Sequence, residues 1–137
     1  MKVVLDTNVL LMSIPKKSPY RQIFDGIIEG DYELVISNEI LSEYLEVLER
    51  KTNELVAKNI GEFLVNSRNV QKIEIFYRWN LIDEDPDDNK FVDCAIAGNV
   101  KFIVSNDAHF RILKDINFPF VDVIQIDDFL EELNRLK

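Results

Sequence analysis

Short apolar segments with the pattern of strands alternate along this chain with segments that have the apolar spacing of helices. The strand-like segments are residues 3–5, 33–36, 70–76, 101–105 and 121–126. Helix starts are predicted between and after them, at Ser18-Pro19, at Ser37 or Asn38, near Leu55, at Asp85, near Phe110 and at Asp127. Because strands that alternate with helices form parallel sheets covered on both faces, we expect a three-layer α/β/α fold with a mostly parallel central sheet.

The length of the chain and its lack of linker-like stretches predict a single domain over residues 1–137. No apolar run approaches the ~20 residues that a membrane span needs. The first acidic residue, Asp6, comes too early for the apolar stretch of ~7–15 residues in a secretory signal. Cys94 is the only cysteine, which excludes an internal disulfide and a thiolate zinc cluster. We therefore expect a cytoplasmic protein without membrane attachment.

Four acidic residues lie where a predicted strand passes into a helix or on the helix that follows: Asp6, Glu43, Asp88 and Asp107. The carboxyl ends of parallel strands meet at one edge of a sheet, so these side chains can converge in one cleft. Carboxylates that are packed together repel one another unless a cation lies between them. Because hard oxygen ligands favour Mg²⁺ or Mn²⁺ over Zn²⁺, the sequence predicts a magnesium or manganese site.

Each of these acids also has a structural interpretation that needs no metal. Asp6 can accept hydrogen bonds from backbone amides in the turn that follows it, and Asp107 can cap the next helix. Acids in the first turn stabilise a helix through its dipole, and this applies to Asp88. Asp85 and Asp87 can fill that role, which leaves Asp88 free to face the cleft.

Two further acids are candidates for a supporting part. Glu39 lies one helical turn before Glu43, and Glu43 is preferred because it follows the apolar Leu41 and precedes the core-facing Tyr44. Asp93 lies on the same predicted helix as Asp88. It is either an additional contact of the site or a residue that faces solvent.

The charge balance argues against a protein that holds nucleic acid by bulk attraction alone. The chain has 16 basic and 25 acidic residues, for a formal net charge of −9. Divalent cations in an acidic pocket would reverse the local field, so the pocket can still receive a phosphate. No glycine-rich phosphate loop is present, and His109 is the only histidine. Phe76, Tyr77 and Trp79 can stack on bases, but we expect them in the core.

Four segments of the chain carry a family resemblance. They are Leu-Asp-Thr-Asn-Val-Leu at 5–10, Ser-Asn-Glu-Ile-Leu-Ser-Glu-Tyr at 37–44, Asp-Pro-Asp-Asp-Asn at 85–89 and Val-Ser-Asn-Asp at 104–107. Together they resemble the PIN-domain family, most closely the toxin components of toxin–antitoxin systems. The resemblance spans nearly the whole chain in the family's order and spacing, and it implies an acidic pocket that cleaves RNA with Mg²⁺ or Mn²⁺.

The resemblance also implies which residues form the site. By position, the catalytic and metal-binding acids of the family correspond to Asp6, Glu43, Asp88 and Asp107. Accessory positions correspond to Asn8, Ser105, Glu39 and Asp93. Because none of the four main acids is missing, the resemblance implies an active member of the family.

The function that the resemblance implies is hydrolysis of single-stranded RNA, leaving a 5′-phosphate and a 3′-hydroxyl, by the toxin of a toxin–antitoxin pair. Its partners would be the RNA substrate, a cognate antitoxin and a second copy in a homodimer. The alternative is a PIN-fold module that binds RNA or a protein without cutting. Receiver-like and haloacid-dehalogenase-like phosphate chemistry fits less well, because Asp6 is the only acid of its strand-loop and Asn8 stands where a second acid is needed.

Overall fold

The computed structural model describes all of residues 1–137. Its strands are β1 (Lys2–Leu5), β2 (Glu33–Ile36), β3 (Val70–Lys72), β4 (Phe102–Val104) and β5 (Val123–Ile124). Its α-helices are α1 (Thr7–Ser13), α2 (Arg21–Glu29), α3 (Asn38–Lys51), α4 (Glu54–Asn66), α5 (Asn89–Ala97) and α6 (Ile126–Arg135). A 3₁₀ segment at Pro86–Asp88 precedes α5, and a second one at Ala108–Asp115 follows β4.

The five strands form one sheet in the order β3-β2-β1-β4-β5, and every neighbouring pair is parallel. The chain first adds strands on one side of β1 and then returns to add β4 and β5 on the other side. The strand order therefore reverses between β1 and β4, which is where open α/β sheets form a crevice at the carboxyl ends of their strands. Leu5 is in register with Val104, so the residues that follow them come side by side at this crevice.

The central strand β1 lies in the core of the protein. Val3, Val4 and Leu5 are all fully buried, as expected for a strand covered on both faces. They belong to a cluster of 29 buried residues that joins the sheet to the helices. Helix α5 packs on β1, β2 and β4, whereas α1 packs against α2 and α3, and α2 packs against α6. The predicted three-layer α/β/α architecture is confirmed.

Several predicted boundaries are wrong near the first helix. Residues 7–13 form α1 directly after β1, although no helix was expected there, and α2 begins at Arg21 rather than at Ser18. The Ser18 hydroxyl instead donates to the carbonyl of Met12 and accepts a hydrogen bond from the amide of Tyr20. Ser18 and Pro19 therefore form part of the connection between the two helices.

Two boundaries later in the chain also differ from the prediction. The strand expected over 70–76 ends at Lys72, and the chain then runs without regular structure to Pro86. Helix α6 begins at Ile126, with Gln125 rather than Asp127 at its N-cap. The free amide of Ile126 donates at 2.9 Å to the side chain of Asn106, a residue in a distant loop. That long-range bond cannot be read from local sequence.

The aromatic residues of the irregular segment are more exposed than the sequence predicts. The exposed fractions of Phe76 and Tyr77 are 89% and 65%, so the prediction that they are in the core is wrong. Trp79 is half-buried and packs edge-to-face against Tyr77, with 4.7 Å between the ring centroids. None of the helices has both the length and the apolar content to cross a lipid bilayer.

Candidate functional site

Asp6 is held at the crevice between β1 and β4 by hydrogen bonds from both sides. One carboxylate oxygen accepts from the amide of Val9 at 2.9 Å, so Asp6 caps α1, and the other accepts from the hydroxyl of Ser105. The Ser105 oxygen also accepts from the amide of Asp107 at 3.0 Å. Asp6 is 7% exposed. Burial raises its pKa, as do the charges of Asp107 and Glu43, while the two hydrogen bonds oppose the rise.

Glu43 lies on α3 and is oriented by two donors. One carboxylate oxygen accepts from the hydroxyl of Thr7, the residue next to Asp6. The other forms an ion pair of 2.7 Å with the ammonium of Lys90. Lys90 is only 9% exposed and also pairs with the carboxylate of Asp87 at 2.9 Å. The Glu43 carboxylate is therefore fixed between the first helix and the start of α5.

Asp88 belongs to a second group of ionisable side chains around His109. The Nδ1 atom of His109 lies 3.3 Å from a carboxylate oxygen of Asp88 and 3.3 Å from one of Asp107, with Asp85 at 3.8 Å. The Nε2 atom lies 3.7 Å from the carboxylate of Glu84. The hydrogen bond that His109 donates to the Asp88 carboxylate, together with the surrounding negative charges, raises the pKa of His109 above its usual value.

The carboxyl group of Asp88 is markedly perturbed. Its burial, followed by the charges of Asp85 and Asp107, raises its pKa to about 6. Ligand atoms of Asp85, Asp88 and His109 all lie within 4.8 Å of one another, so this group can hold a metal ion. Asp85 accepts a hydrogen bond from the amide of Asp87 at 3.2 Å, as expected for a cap, and it also faces this cluster.

The structure thus brings three of the four predicted acids into one contiguous array. Ser105 donates to the Asp6 carboxylate and accepts from the backbone amide of Asp107, and the Nδ1 atom of His109 lies 3.3 Å from a carboxylate oxygen of Asp107 and of Asp88. Glu43 joins from the α3 side, where its charge acts on Asp6. The accessory candidate Asn8 is exposed. It lines a cavity of about 530 Å³ together with Asp6, Asp107 and other residues: Val9, Leu11, Met12, Lys51 and Asn106.

Glu39 and Asp93 lie apart from this array and hold the irregular segment after β3. Glu39 forms an ion pair of 2.7 Å with Arg78, and one oxygen of Asp93 accepts from the amide of Trp79 at 3.0 Å. Asp93 is 2% exposed, so the interpretation that it faces solvent is wrong. Its other carboxylate oxygen has no hydrogen-bond partner, and burial raises its pKa.

Four residues at the site were not predicted from the sequence to belong to it: Thr7, Asp85, Lys90 and His109. Thr7 directly follows Asp6, and Lys90 follows Asp87 at the spacing of one helical turn, which are weak local signals. The sequence analysis predicts no role for His109, although a histidine two residues after a strand-end acid is in position to bind metal. The partners of Thr7 and Lys90 come from α3, which only the fold brings near.

The side chains around His109 fit a divalent cation by their chemistry. They offer several carboxylate oxygens and one imidazole nitrogen, which are common ligands of divalent ions. Burial raises the pKa of Asp6 and of Asp88, and the negative charge of Asp107 adds to both rises. A bound cation would compensate that charge.

A family model described as PIN domain matches residues 2–109. No curated protein sequence matches the chain significantly.

Among solved structures, the chain is similar to VapBC2 from Rickettsia felis bound to a DNA fragment from its promoter. The identity is 19% over 91% of this chain and 98% of that chain, with a TM-score of 0.63. VapC20 of Mycobacterium tuberculosis, a toxin that cleaves the sarcin–ricin loop, matches with 12% identity over 88% and 98% of the chains and a TM-score of 0.60. DNA-bound VapBC from Salmonella typhimurium matches with 15% identity over 92% and 98% and a TM-score of 0.57.

These structural likenesses concern the fold. The match to the family model covers most of the chain and includes Asp6, Glu43, Asp88 and Asp107. The chain belongs to the PIN domain family.

Proposed function

We propose that this PIN domain is a metal-dependent endoribonuclease that hydrolyses single-stranded RNA and acts in the cytoplasm as the toxin of a toxin–antitoxin pair. The observation that carries the proposal is the array at the β1–β4 crevice, in which Asp6, Asp107 and Asp88 are linked through Ser105 and His109. The similarity to VapC20, a toxin that cleaves RNA, supports the kind of reaction. The similarity to VapBC complexes supports an antitoxin as partner.

Of the predicted acids, Asp6, Asp88 and Asp107 would hold Mg²⁺ or Mn²⁺, whereas Glu43 is already paired with Lys90. Asp85 and His109 would take part as well, because their ligand atoms and those of Asp88 lie within 4.8 Å of one another. A divalent cation held there would supply a water of lowered pKa and positive charge to offset the phosphate. For His109 to serve as a ligand, the coordinating nitrogen must be free of its proton.

The remaining residues orient the acids and the substrate. Ser105 directs the Asp6 carboxylate by donating to it, and Thr7 does the same for Glu43. Asn8 and Lys51 line the cavity that adjoins Asp6 and Asp107, and both can donate to phosphate oxygens of an RNA backbone. This cavity is where we place the RNA strand.

The test is cleavage of labelled single-stranded RNA by the full chain with Mg²⁺, with Mn²⁺ and with a chelator. We expect cleavage with either metal and none with the chelator. Asp6→Asn should reduce the rate by at least about 100-fold, the scale seen when a group that stabilises transition-state charge is removed. Asp122→Asn is the matched control, because Asp122 is exposed and its side chain has no ion pair or hydrogen bond.

The outcomes separate the two candidate functions. Equal cleavage by wild type and Asp6→Asn would point to a contaminating nuclease. If neither metal supports cleavage while the protein still retains RNA or an antitoxin, the domain is a binding module.

The toxin role has its own test. Expression of the wild-type chain should arrest growth, and co-expression of the neighbouring gene should relieve the arrest. Asp6→Asn should allow normal growth. We also propose that the protein forms a homodimer, which a measurement of its mass in solution checks.

A further inference from the structure

Lys90 is a buried cation within the acidic site. Its side chain is 8% exposed, and lysine is rarely so buried unless it is paired. Its ammonium lies 2.7 Å from a carboxylate oxygen of Glu43 and 2.9 Å from one of Asp87, and it donates at 2.9 Å to the backbone carbonyl of Asp87. An ammonium has three N–H donors, so these three acceptors use all of them.

The position of Lys90 ties Glu43 into the rest of the site. Because the other oxygen of Glu43 accepts from Thr7, the carboxylate is held by a cation on one side and a hydroxyl on the other. Thr7 adjoins Asp6, so the contacts run from Lys90 through Glu43 to the crevice. Lys90, Glu43 and Asp87 also line an open cavity of about 680 Å³, which gives ions access to this end of the site.

The two ends of the site differ in the charge that balances their acids. Asp85, Asp88 and Asp107 face one another and His109, and none of them forms an ion pair with a lysine or arginine. At the Glu43 end, the ammonium of Lys90 already lies between two carboxylates. A second divalent ion there would meet this fixed positive charge at close range.

We propose that Lys90 is a positioning residue that supplies the cation at the Glu43 end, so that the site takes one divalent ion rather than two. The inference rests on the proposed metal-dependent function. Two-metal nucleases place their ions ~3.5–4 Å apart between shared acids. Here the ammonium of Lys90 lies between Glu43 and Asp87 in place of a second metal ion, and it holds the Glu43 carboxylate in position.

The experiment counts Mn²⁺ ions bound to the full chain by electron paramagnetic resonance of free Mn²⁺, in the absence of RNA. We expect one ion in the wild type and two in Lys90→Gln, because removal of the ammonium leaves Glu43 and Asp87 free to bind metal. Lys90→Arg keeps the charge and should still bind one. Lys58→Met, an exposed lysine of α4 without an ion pair, is the control and should also bind one.

A second readout is the RNA-cleavage rate as a function of Mn²⁺ concentration. In Lys90→Gln the half-maximal rate should need more Mn²⁺ than in the wild type, and Lys90→Arg should restore the wild-type dependence. A residue that only stabilised α5 would lower the amount of folded protein without changing the ion count or this dependence.

Several results would overturn the inference. A wild type that binds two ions, or none, contradicts it without any variant, so it remains testable if Lys90→Gln fails to fold. A single bound ion in Lys90→Gln would also contradict the inference. If the ion counts are as expected but no RNA is cut, the ribonuclease proposal fails while the role of Lys90 stands. If RNA is cut and the wild type binds two ions, the ribonuclease proposal stands and the role of Lys90 is wrong.

Discussion

The carboxyl group of Asp88 shows how burial and neighbouring charge together perturb the pKa of a single side chain. Its pKa is raised to about 6, mainly by burial and then by Asp85 and Asp107. A raised pKa in the folded state means that the protonated carboxyl stabilises the fold. This contribution is fully present below the ordinary pKa of about 3.8 and is lost as the pH rises through about 6.

Replacement of Asp88 by asparagine should therefore stabilise the metal-free protein at pH 7.5 but not at pH 4. We expect a gain of about 1–3 kcal/mol in the free energy of unfolding, because an ionised carboxylate among two others is removed. The measurement is denaturant unfolding at both pH values in a chelator. Asp122→Asn, which removes an exposed carboxylate, should change little at either pH.

Added Mn²⁺ should make the wild type more stable to unfolding than Asp88→Asn at pH 7.5, which is the opposite of the order expected without metal. The wild type should gain stability from the bound ion, whereas Asp88→Asn has lost a candidate ligand and should gain less. An equal gain in both proteins would show that Asp88 does not take part in metal binding.

Local signals located some site residues and missed others for a physical reason. Asp6 and Asp107 follow strands directly, and that position is visible in the sequence. The donors to Glu43 are not visible, since Thr7 lies 36 residues away along the chain and Lys90 lies on another helix. Side chains that act through long-range pairs have no local pattern.

Among the secondary-structure elements, α5 approaches the sheet most closely at its C-terminal end, at Gly98. Gly98 ends this helix with a φ of −85°, which any residue can adopt. A Cβ atom at Gly98 would lie 2.8 Å from a methyl group of Val35 on β2 and 3.1 Å from the carbonyl of Cys94. The glycine is therefore needed for the close approach of α5 to the sheet.

Gly98→Ala should destabilise the protein by about 1–3 kcal/mol, the usual cost of overpacking a core. Gly61→Ala on α4 is the matched control, because its Cβ would meet only the flexible side chain of Leu45, at 3.1 Å. Alanine also favours a helix by up to about 1 kcal/mol relative to glycine, so this control should be neutral or stabilising. Chemical denaturation of both variants provides the measurement, and equal stabilities would contradict the packing argument.

Element boundaries were predicted well where a cap is local and poorly where it is not. Ser37 caps α3 and Asp85 caps the turn before α5, both through amides two or three residues ahead. The predicted cap Asp127 is wrong because Asn106 already binds the free amide of Ile126 from another loop. Tertiary hydrogen bonds thus displaced a local preference.

At the scale of the whole molecule, the net charge of −9 opposes the approach of RNA. Without divalent ions, we expect the protein to retain little single-stranded RNA at about 0.15 M salt, where the Debye length is about 8 Å. With Mn²⁺ it should retain RNA. Lys51→Gln should weaken this retention and reduce the salt slope by about one, as for loss of one phosphate contact, because Lys51 lines the cavity beside Asp6.

Filter binding of labelled RNA, scored before cleavage is appreciable, measures both effects. Lys58→Gln serves as the control, because Lys58 is exposed on α4 and does not line this cavity. Strong retention in the presence of a chelator would show that fixed basic residues, rather than a bound cation, attract the RNA.

The periodicity of apolar residues by itself determined the α/β class and the parallel sheet, because burial requires those patterns along each element. The order of residues in the sequence also placed acids next to the strand ends. Only the tertiary structure decided which charges meet. The reversal of strand order between β1 and β4 places Asp6 beside Ser105, and the packing of α3 against α5 brings Glu43 to Lys90. Electrostatic pairing depends on distance in space, and distances between remote segments are set by the fold.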